Sequence, residues 1–219
     1  MWDSAMFEII GKGILETLYM TLFSTFLAYV MGLPLGIALV VTEEDSIMPN
    51  KWLNKVFNIV VNITRSVPFL ILLIFIQPFT KLIVGTTIGS TATVVPLVIA
   101  AAPFIGRMVE SSIKELDKGI IEAALSMGAS PMQIICKVMI PETTPSLWVG
   151  AAISATTILG YSAMAGFTSG GGLGDIAIRY GFYRYQTDVM LVTVILLVLI
   201  VQLMQGIGMK IASKQDKRK

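Results

Sequence analysis

The sequence predicts an all-α integral membrane protein with five transmembrane helices. Hydrophobic residues make up 55% of the 219 residues and charged residues only 14%, and the mean hydropathy is +0.79. A soluble domain usually carries about 25% charged residues. The few charged residues are concentrated between long apolar stretches, which is typical of a chain that spans a bilayer.

Five stretches are apolar over the length of about 20 residues that a membrane-spanning helix needs. They cover roughly residues 14–41, 57–77, 92–110, 146–166 and 188–209. The last is the most uniform, because only Thr193 and Gln202 interrupt the run from Val189 to Met204. Several spans contain proline, at Pro34, Pro68, Pro96 and Pro103. Membrane helices tolerate proline where neighbouring groups form hydrogen bonds to the freed carbonyl oxygens. Residues 1–4 lack the basic region of a secretory signal, so we expect no cleavable signal.

The distribution of Lys and Arg predicts the orientation. An odd number of spans places the termini on opposite sides, and a cytoplasmic C-terminus puts 12 of the 16 basic residues inside. The outer set then consists of Lys12, Lys81, Arg179 and Arg184. Because cytoplasmic loops carry an excess of Lys and Arg, we expect an outside N-terminus. The basic cytoplasmic tail would end in Lys217, Arg218 and Lys219.

Small residues form faces on two of the predicted spans. Gly32 and Gly36 lie four residues apart in the first span, and the fourth span contains Gly150, Ala151, Ala152, Ser154 and Ala155. Such faces allow helix backbones to approach closely. Two uses stay open, association of two subunits and packing within one subunit, and the second is the commoner use of any single motif.

A polar column precedes the second span. Asparagine recurs every four residues opposite an apolar face, at Asn50, Asn54, Asn58 and Asn62, which predicts an amphipathic helix. Two interpretations stay open. The helix either lies in the interface with its polar face in water, or forms a polar wall of an inward vestibule between two subunits.

Charged residues at the cytoplasmic ends of two spans have alternative roles. Arg65 is followed by Ser66 and the helix-breaking Pro68, so it either snorkels to the interface or contributes to a gate. Arg107 and Glu110 close the third span, and we interpret them as interfacial anchors.

The fourth span offers a candidate gate. Met164 lies among small neighbours shortly after Tyr161 and Ser162. Two copies of this methionine across a dimer axis would form an apolar plug that opens by a change of rotamer. Methionine also fills gaps in protein cores, so packing is the alternative.

The polar stretch of residues 111–145 predicts two short helices joined by a turn. Asp117 is a candidate N-cap, and an apolar face follows that consists of Ile120, Ile121, Ala124 and Leu125. Gly128 suits the left-handed position after a helix. A capping box begins the second helix with Ser130, Pro131 and Gln133, and Pro141 ends it. On physical grounds alone, the segment either inserts into a groove of a partner or lies at the membrane interface.

This segment resembles the EAA loop of ABC importer permeases. The matching residues are Glu122, Ala123, Ala124, Gly128, Ala129, Pro131 and Pro141. The family pattern places nine residues between the glycine and an Ile-x-Leu-Pro motif, and this chain has that spacing with Val138 and Ile140 as conservative departures. The resemblance implies that the loop is the coupling helix, which docks into a separate nucleotide-binding subunit.

Further segments resemble the methionine-type branch of these permeases. They include residues 65–69, 84–89, 102–110, 127–131, 160–166 and 171–174. The resemblance implies the type I ABC importer permease fold, with residues 1–219 as one transmembrane domain and residues 111–145 as its coupling loop. It also implies a homodimer in the lipid of a bacterial cytoplasmic membrane, two ATP-binding subunits that carry ATP and Mg, and an external substrate-binding (lipo)protein.

Missing motifs exclude several functions. No Gly-x-x-x-x-Gly-Lys-Ser/Thr occurs, so we expect ATP hydrolysis on another polypeptide and no cofactor in this chain. The chain has no histidine and one cysteine, Cys136, so neither an enzyme active site nor a metal site is expected. A net charge of +2 does not indicate nucleic acid. The run from Gly170 to Gly174 lacks a βαβ context, and we interpret it as a flexible turn.

The sequence therefore favours the permease subunit of an amino-acid importer, with methionine, including D-methionine, as the substrate that the resemblance implies. Import of another amino acid is the alternative within this class. A secondary transporter would show internal repeats and ion-coupling carboxylates at the midplane, and neither is visible. A membrane scaffold without a transport path is the third interpretation.

Overall fold

The computed structural model describes residues 4–215, and these residues are almost entirely helical, with no strand among them. The helices are α1 (Ser4–Val41), α2 (Lys51–Ser66), α3 (Phe69–Phe75), α4 (Gln77–Val84), α5 (Ser90–Lys114), α6 (Lys118–Ser126), α7 (Pro131–Ile134), α8 (Ile140–Met164), α9 (Gly172–Ile176) and α10 (Thr187–Gln215). Wider π-helical turns at Ile135–Met139 and Ala177–Phe182, and a 3₁₀ turn at Ala165–Thr168, continue α7, α9 and α8. The predicted basic residues Lys217, Arg218 and Lys219, and residues 1–3, lie outside the described range.

Within residues 4–215, four continuous helical segments are long and apolar enough to cross a membrane: Ser4–Val41, Ser90–Lys114, Pro131–Thr168 and Thr187–Gln215. The predicted span over residues 57–77 corresponds to α2 and α3, which pass the test for a span only together and are bent by 100° relative to each other. With this pair counted as one broken span, the described residues contain five candidate spans. The break follows from Pro68, which has no N–H and holds the preceding Val67 in an extended conformation (φ −81°, ψ 123°).

The core lies between α1 and α5, which cross at small residues. A Cβ added at Gly32 would lie 2.8 Å from the carbonyl oxygen of Ala102, and one added at Gly36 would lie 2.6 Å from Cβ of Val109. In α8, Ala152 similarly contacts Gly208 of α10. Gly32, Gly36 and Ala152 thus pack within one subunit, and association of two subunits through such faces stays a prediction.

The segment that connects α5 to α8 differs from the prediction in one respect. As predicted, α6 is a short helix, and Gly128 follows it with φ +77°. The second helix, however, does not end at Pro141, because it continues through a π-helical turn into α8 and on to Thr168. A proline is tolerated there because it lies in the first turn of α8, where the wider π-helical turn has already interrupted the regular hydrogen-bond ladder.

The glycine run at 170–174 is tightly packed, so the prediction of a flexible turn is wrong. Gly172 and Leu173 donate their backbone N–H groups to Glu16 Oε2 (2.8 Å) and Thr17 Oγ1 (2.9 Å) of α1. From the other side, Thr93 of α5 donates to the carbonyl oxygen of Gly170 (3.1 Å). The N-terminus of α9 thus meets a carboxylate, and the loop joins α1 to the ends of α5 and α8 in one rim.

Candidate coupling segment and translocation path

The helix α6 is attached to the rest of the chain along one side only. The Asp117 side chain caps it by accepting the N–H of Gly119 (2.8 Å), and Ala124 is buried. Glu122 and Ala123 are exposed on the other side. This helix therefore presents a small, open surface on which a partner protein can approach its backbone closely.

The turn after α6 exposes further residues of the predicted coupling loop. Gly128 has open space where a side chain would be, and Met127 beside it is 81% exposed. Ser130 and Gln133 form the predicted capping box: the Gln133 N–H donates to Ser130 Oγ (3.4 Å), and the Ser130 N–H donates to Gln133 Oε1 (2.8 Å). Pro131 and Pro141 are exposed and Ala129 is half-buried. The seven predicted coupling residues thus lie on one continuous segment at one end of the bundle.

A cavity of about 910 Å³ lies between α6 and the loop that joins α1 to α2. Its walls combine apolar residues with both signs of charge: Glu43, Glu44, Lys51, Lys55, Ile113, Lys114, Lys118, Ile121, Glu122 and Leu125 are among them. Ion pairs join Glu43 to Lys114 (2.6 Å) and Glu44 to Lys51 (3.1 Å) across its rim.

Two members of the asparagine column, Asn54 and Asn58, point toward the protein rather than into open solvent, whereas Asn50 and Asn62 are exposed. Asn54 donates to the Leu39 carbonyl oxygen (2.7 Å) and to Thr42 Oγ1 (3.0 Å) of the first helix and its following turn. Asn58 donates to Asn54 Oδ1 (2.8 Å). Both side chains are half-buried, so the interfacial interpretation, in which the polar face is solvated, is wrong for them.

Arg107 of α5 binds two of these asparagines, Asn58 and Asn62. Its Nη2 donates to Asn58 Oδ1 (2.7 Å) and Asn62 Oδ1 (2.9 Å), while Nη1 donates to Glu110 Oε2 (2.6 Å). Lys114 donates to the other carboxylate oxygen of Glu110 (2.9 Å). A buried carboxylate and two amides thus bind the guanidinium, and the role of Arg107 and Glu110 as interfacial anchors stays a prediction.

The bend between α2 and α3 adjoins the predicted gate. Phe69, directly after Pro68, stacks on Tyr161 of α8 with ring centroids 4.6 Å apart and planes 5° apart. Arg65 is exposed and forms no ion pair within residues 4–215. Met164 is 48% exposed.

Two further candidates have local partners. The Ser66 hydroxyl donates to the Asn62 carbonyl oxygen (2.7 Å) of its own helix. Ser162 is buried and donates to the Leu159 carbonyl oxygen (2.8 Å). The structure therefore brings Pro68 and Tyr161 together through Phe69, whereas Ser162 points into the interior of this chain.

Three residues of these sites were not predicted from the sequence. Glu43 and Lys114 complete the ion-pair chain, and Phe69 bridges the bend to α8. Arg107, Glu110 and Lys114 are spaced three and four residues apart, which places them on one helix face. This spacing predicts the ion pairs of Glu110 with Arg107 and with Lys114. No local pattern indicates that Glu43 lies beside Lys114.

Comparisons with known proteins agree over nearly the whole chain. Residues 28–208 match the family described as binding-protein-dependent transport system inner membrane component. A Vibrio cholerae relative, named probable D-methionine transport system permease protein MetI, is 46% identical over 99% of this chain and 96% of its own length. The D-methionine transport system permease protein MetI of Escherichia coli K12 is 49% identical over 74% of each chain.

Solved structures give the same result for the fold. A chain from inward-facing conformations of the MetNI methionine ABC transporter matches with a TM-score of 0.97 at 45% identity, over 99% of this chain and 100% of that chain. A chain from an amino acid ABC transporter matches with a TM-score of 0.74 at 20% identity, over 98% and 96% of the two chains. At that identity the likeness concerns the fold alone.

Proposed function

The chain belongs to the family of binding-protein-dependent transport system inner membrane components, and on this basis we propose that it is the permease subunit of an ATP-driven methionine importer. Its helices have the fold of type I ABC importer permeases, as the sequence predicts. The observation that carries the substrate is the likeness, over nearly the full length, to methionine permeases and to a methionine ABC transporter.

ATP is hydrolysed on a separate subunit, because this chain has no P-loop that could hold the phosphates. Two copies of the permease pair with two ATP-binding subunits that carry ATP and Mg, and an external binding protein delivers the substrate. The apolar residues exposed on the long helices, such as Leu15, Phe26 and Leu203, support a lipid or subunit environment around the bundle.

In this assembly α6 docks into the ATP-binding subunit. The exposed Glu122 and Ala123, the open space at Gly128 and the caps at Asp117 and Ser130 support this role, because they present a rigid segment with small side chains. Closure of the ATP-binding subunits moves α6, and the helices that follow it open the path toward the outside.

The translocation path runs beside the bend between α2 and α3. We place Arg65, Ser66 and Pro68 at its inner end and Met164 at its gate, with Tyr161 and Ser162 supporting the helix that carries the methionine. The exposure of Met164 and the stacking of Phe69 on Tyr161 support this arrangement. Because the gate offers thioether and aromatic surfaces with few fixed charges, a zwitterion with an apolar side chain can leave it again.

The protein lies in the bacterial cytoplasmic membrane with its N-terminus outside and α6 in the cytoplasm. The excess of Lys and Arg on the side of α6 supports this orientation.

The substrate is tested in a methionine auxotroph that lacks its own importer. Cells that receive this permease with its ATP-binding subunit and binding protein should grow on low methionine and on D-methionine. Growth should fail when the Walker lysine of the ATP-binding subunit is replaced, which is the matched control. If the assembled complex imports another amino acid in competition assays but no methionine, the substrate assignment is wrong and the importer assignment stands.

A further inference from the structure

A continuous chain of polar contacts links the loop beside α6 to the helix that ends at the α2–α3 bend. Its members are Glu43, Lys114, Glu110, Arg107 and Asn62, and the donor–acceptor distances between neighbours are 2.6, 2.9, 2.6 and 2.9 Å. One end lies on the rim of the cavity that α6 also lines. The other end lies one helical turn before the bend.

The central members of the chain are removed from water. The side chain of Glu110 is 9% exposed and that of Arg107 is 23% exposed. Charges in such surroundings keep their partners, because an unpaired buried charge is unfavourable. Arg107 therefore stays attached to Glu110 while α5 moves.

The guanidinium of Arg107 also joins α2 to α5. Within α2 only one residue, Val61, is buried, so apolar packing holds this helix weakly. Arg107 binds a carboxylate on its own helix through one nitrogen and two amides of α2 through the other. Because the guanidinium is planar and rigid, it transmits displacement and rotation between the two helices.

The link from α5 to α6 is short. Only residues 115–117 separate the end of α5 at Lys114 from the start of α6 at Lys118, and Leu116 among them is buried. Movement of α6 therefore reaches Lys114 without a flexible connection.

We propose that Arg107 is a positioning residue for transport, which couples α2, and with it the α2–α3 bend, to the movement of α6. This inference rests on the proposed function and deepens it, because it names the residue through which ATP-driven movement reaches the inner end of the path. Without Arg107, ATP is still hydrolysed and α6 still moves, but the α2–α3 bend no longer moves with α6.

The test uses the complete transporter with Arg107→Met in a Cys136→Ser background. Methionine keeps a similar length without charge or hydrogen bonds, and Glu110 remains paired with Lys114. A spin label is attached at Lys118→Cys of α6 or at Ile71→Cys of α3, which are both exposed positions. We expect ATP to change the spectrum of both labels in the parent, and only that of the α6 label in the Arg107→Met protein. Substrate uptake per ATP hydrolysed should fall about tenfold or more, within the usual range of coupling between sites.

A matched control separates coupling from general damage. Arg179 also forms an ion pair of 2.6 Å with a largely buried carboxylate on its own helical segment, that of Asp175, but unlike Arg107 it has no hydrogen bond to another helix among the described residues. Arg179→Met should leave the ATP-dependent change at the α3 label in place. A change at that label that persists in the Arg107→Met protein, with uptake per ATP within about twofold of the parent, would overturn the proposal.

A second variant decides the matter if the Arg107→Met protein does not assemble. Asn58→Ala with Asn62→Ala removes the acceptors on α2 and leaves Arg107 paired with Glu110. We expect the same loss of response at the α3 label. Adding Arg107→Lys should cause no further loss, because the hydrogen bonds between Arg107 and α2 are already absent in the double Asn variant. Additive losses, or an unchanged response, would contradict the proposal.

The same experiment distinguishes failure of the proposed role of Arg107 from failure of the proposed methionine transport. The label measurements depend on ATP and not on the identity of the substrate. A parent complex that hydrolyses ATP and shows both label responses, but takes up no methionine, contradicts the substrate assignment and leaves the role of Arg107 to be decided by the α3 label.

Discussion

At the scale of single residues, Gly36 shows how closely α1 approaches α5. A Cβ at this position would lie 2.5 Å from the carbonyl oxygen of Gly106, which is backbone and cannot turn aside. We expect Gly36→Ala to lower the free energy of unfolding by about 1–3 kcal/mol, since the two helices must separate. The measurement is thermal unfolding in mild detergent. Gly206→Ala in α10 is the control, because its Cβ meets no atom within 4 Å, and it should be neutral or slightly stabilising.

Glu16 is a second residue whose role is local. Its carboxylate accepts the first free N–H of α9 at 2.8 Å, and its side chain is 27% exposed. We expect Glu16→Ala to lower the free energy of unfolding by about 0.5–2 kcal/mol, and Glu16→Gln to lower it less because an acceptor oxygen remains. Lys12→Ala should have almost no effect, since the ammonium is 3.9 Å from Glu16 on an exposed surface. Equal losses for Glu16→Gln and Glu16→Ala in the same unfolding assay would show that the carboxylate does not act as a cap.

At the scale of elements, α6 should be sensitive to charge and bulk on its exposed side. We expect Glu122→Lys and Gly128→Trp to abolish uptake while the protein remains in the membrane, because the first reverses a charge and the second fills the open surface at the docking site. Uptake is measured against the amount of inserted protein and of copurified ATP-binding subunit.

Gly85→Trp is the matched control for the bulky substitution. Gly85 also has a positive φ (+83°) and open space around its Cβ position, but it lies at the end of α4, away from α6. Both variants therefore carry the same backbone strain. If Gly85→Trp impaired uptake as much as Gly128→Trp, or if both α6 variants transported and assembled normally, the coupling role of α6 would be wrong.

The elements also show which parts of the fold the sequence determines locally. The two ends of α6 and the start of α7 were predictable, because Asp117, Gly128 and Ser130 act through groups within a few residues. The direction of the α2 polar face was not predictable, since its partner Arg107 is 45 and 49 residues from Asn62 and Asn58. The glycine run was misinterpreted for the same reason: glycine permits a flexible turn and a tight contact equally, and only distant residues decide between them.

At the scale of the whole molecule, one native residue reports the orientation. Cys136 is the single cysteine of the chain and is exposed within the coupling segment. We expect a membrane-impermeant maleimide to label it only after the membrane is permeabilised, because the excess of Lys and Arg predicts that this end is cytoplasmic. Thr86→Cys in a Cys136→Ser background lies in the exposed loop before α5 and should be labelled in intact cells. Asp45→Cys, also exposed, provides a second inner site if a partner subunit covers Cys136. Labelling of Cys136 in intact cells would show that the orientation is the opposite of the predicted one.

The rim at Gly172 has a consequence for biosynthesis. Glu16 and Thr17 bind backbone groups that lie 156 residues later in the chain. At about 5–20 residues per second, a ribosome takes on the order of ten to thirty seconds to add that length, during which these side chains wait in the membrane without their final partners. We therefore expect nascent α1 to be recognised by membrane chaperones and proteases until α9 has been synthesised. Chains truncated before Gly172 should be degraded faster in pulse–chase experiments than chains truncated within the last turns of α10, and equal half-lives would show that α1 is stable before the rim closes.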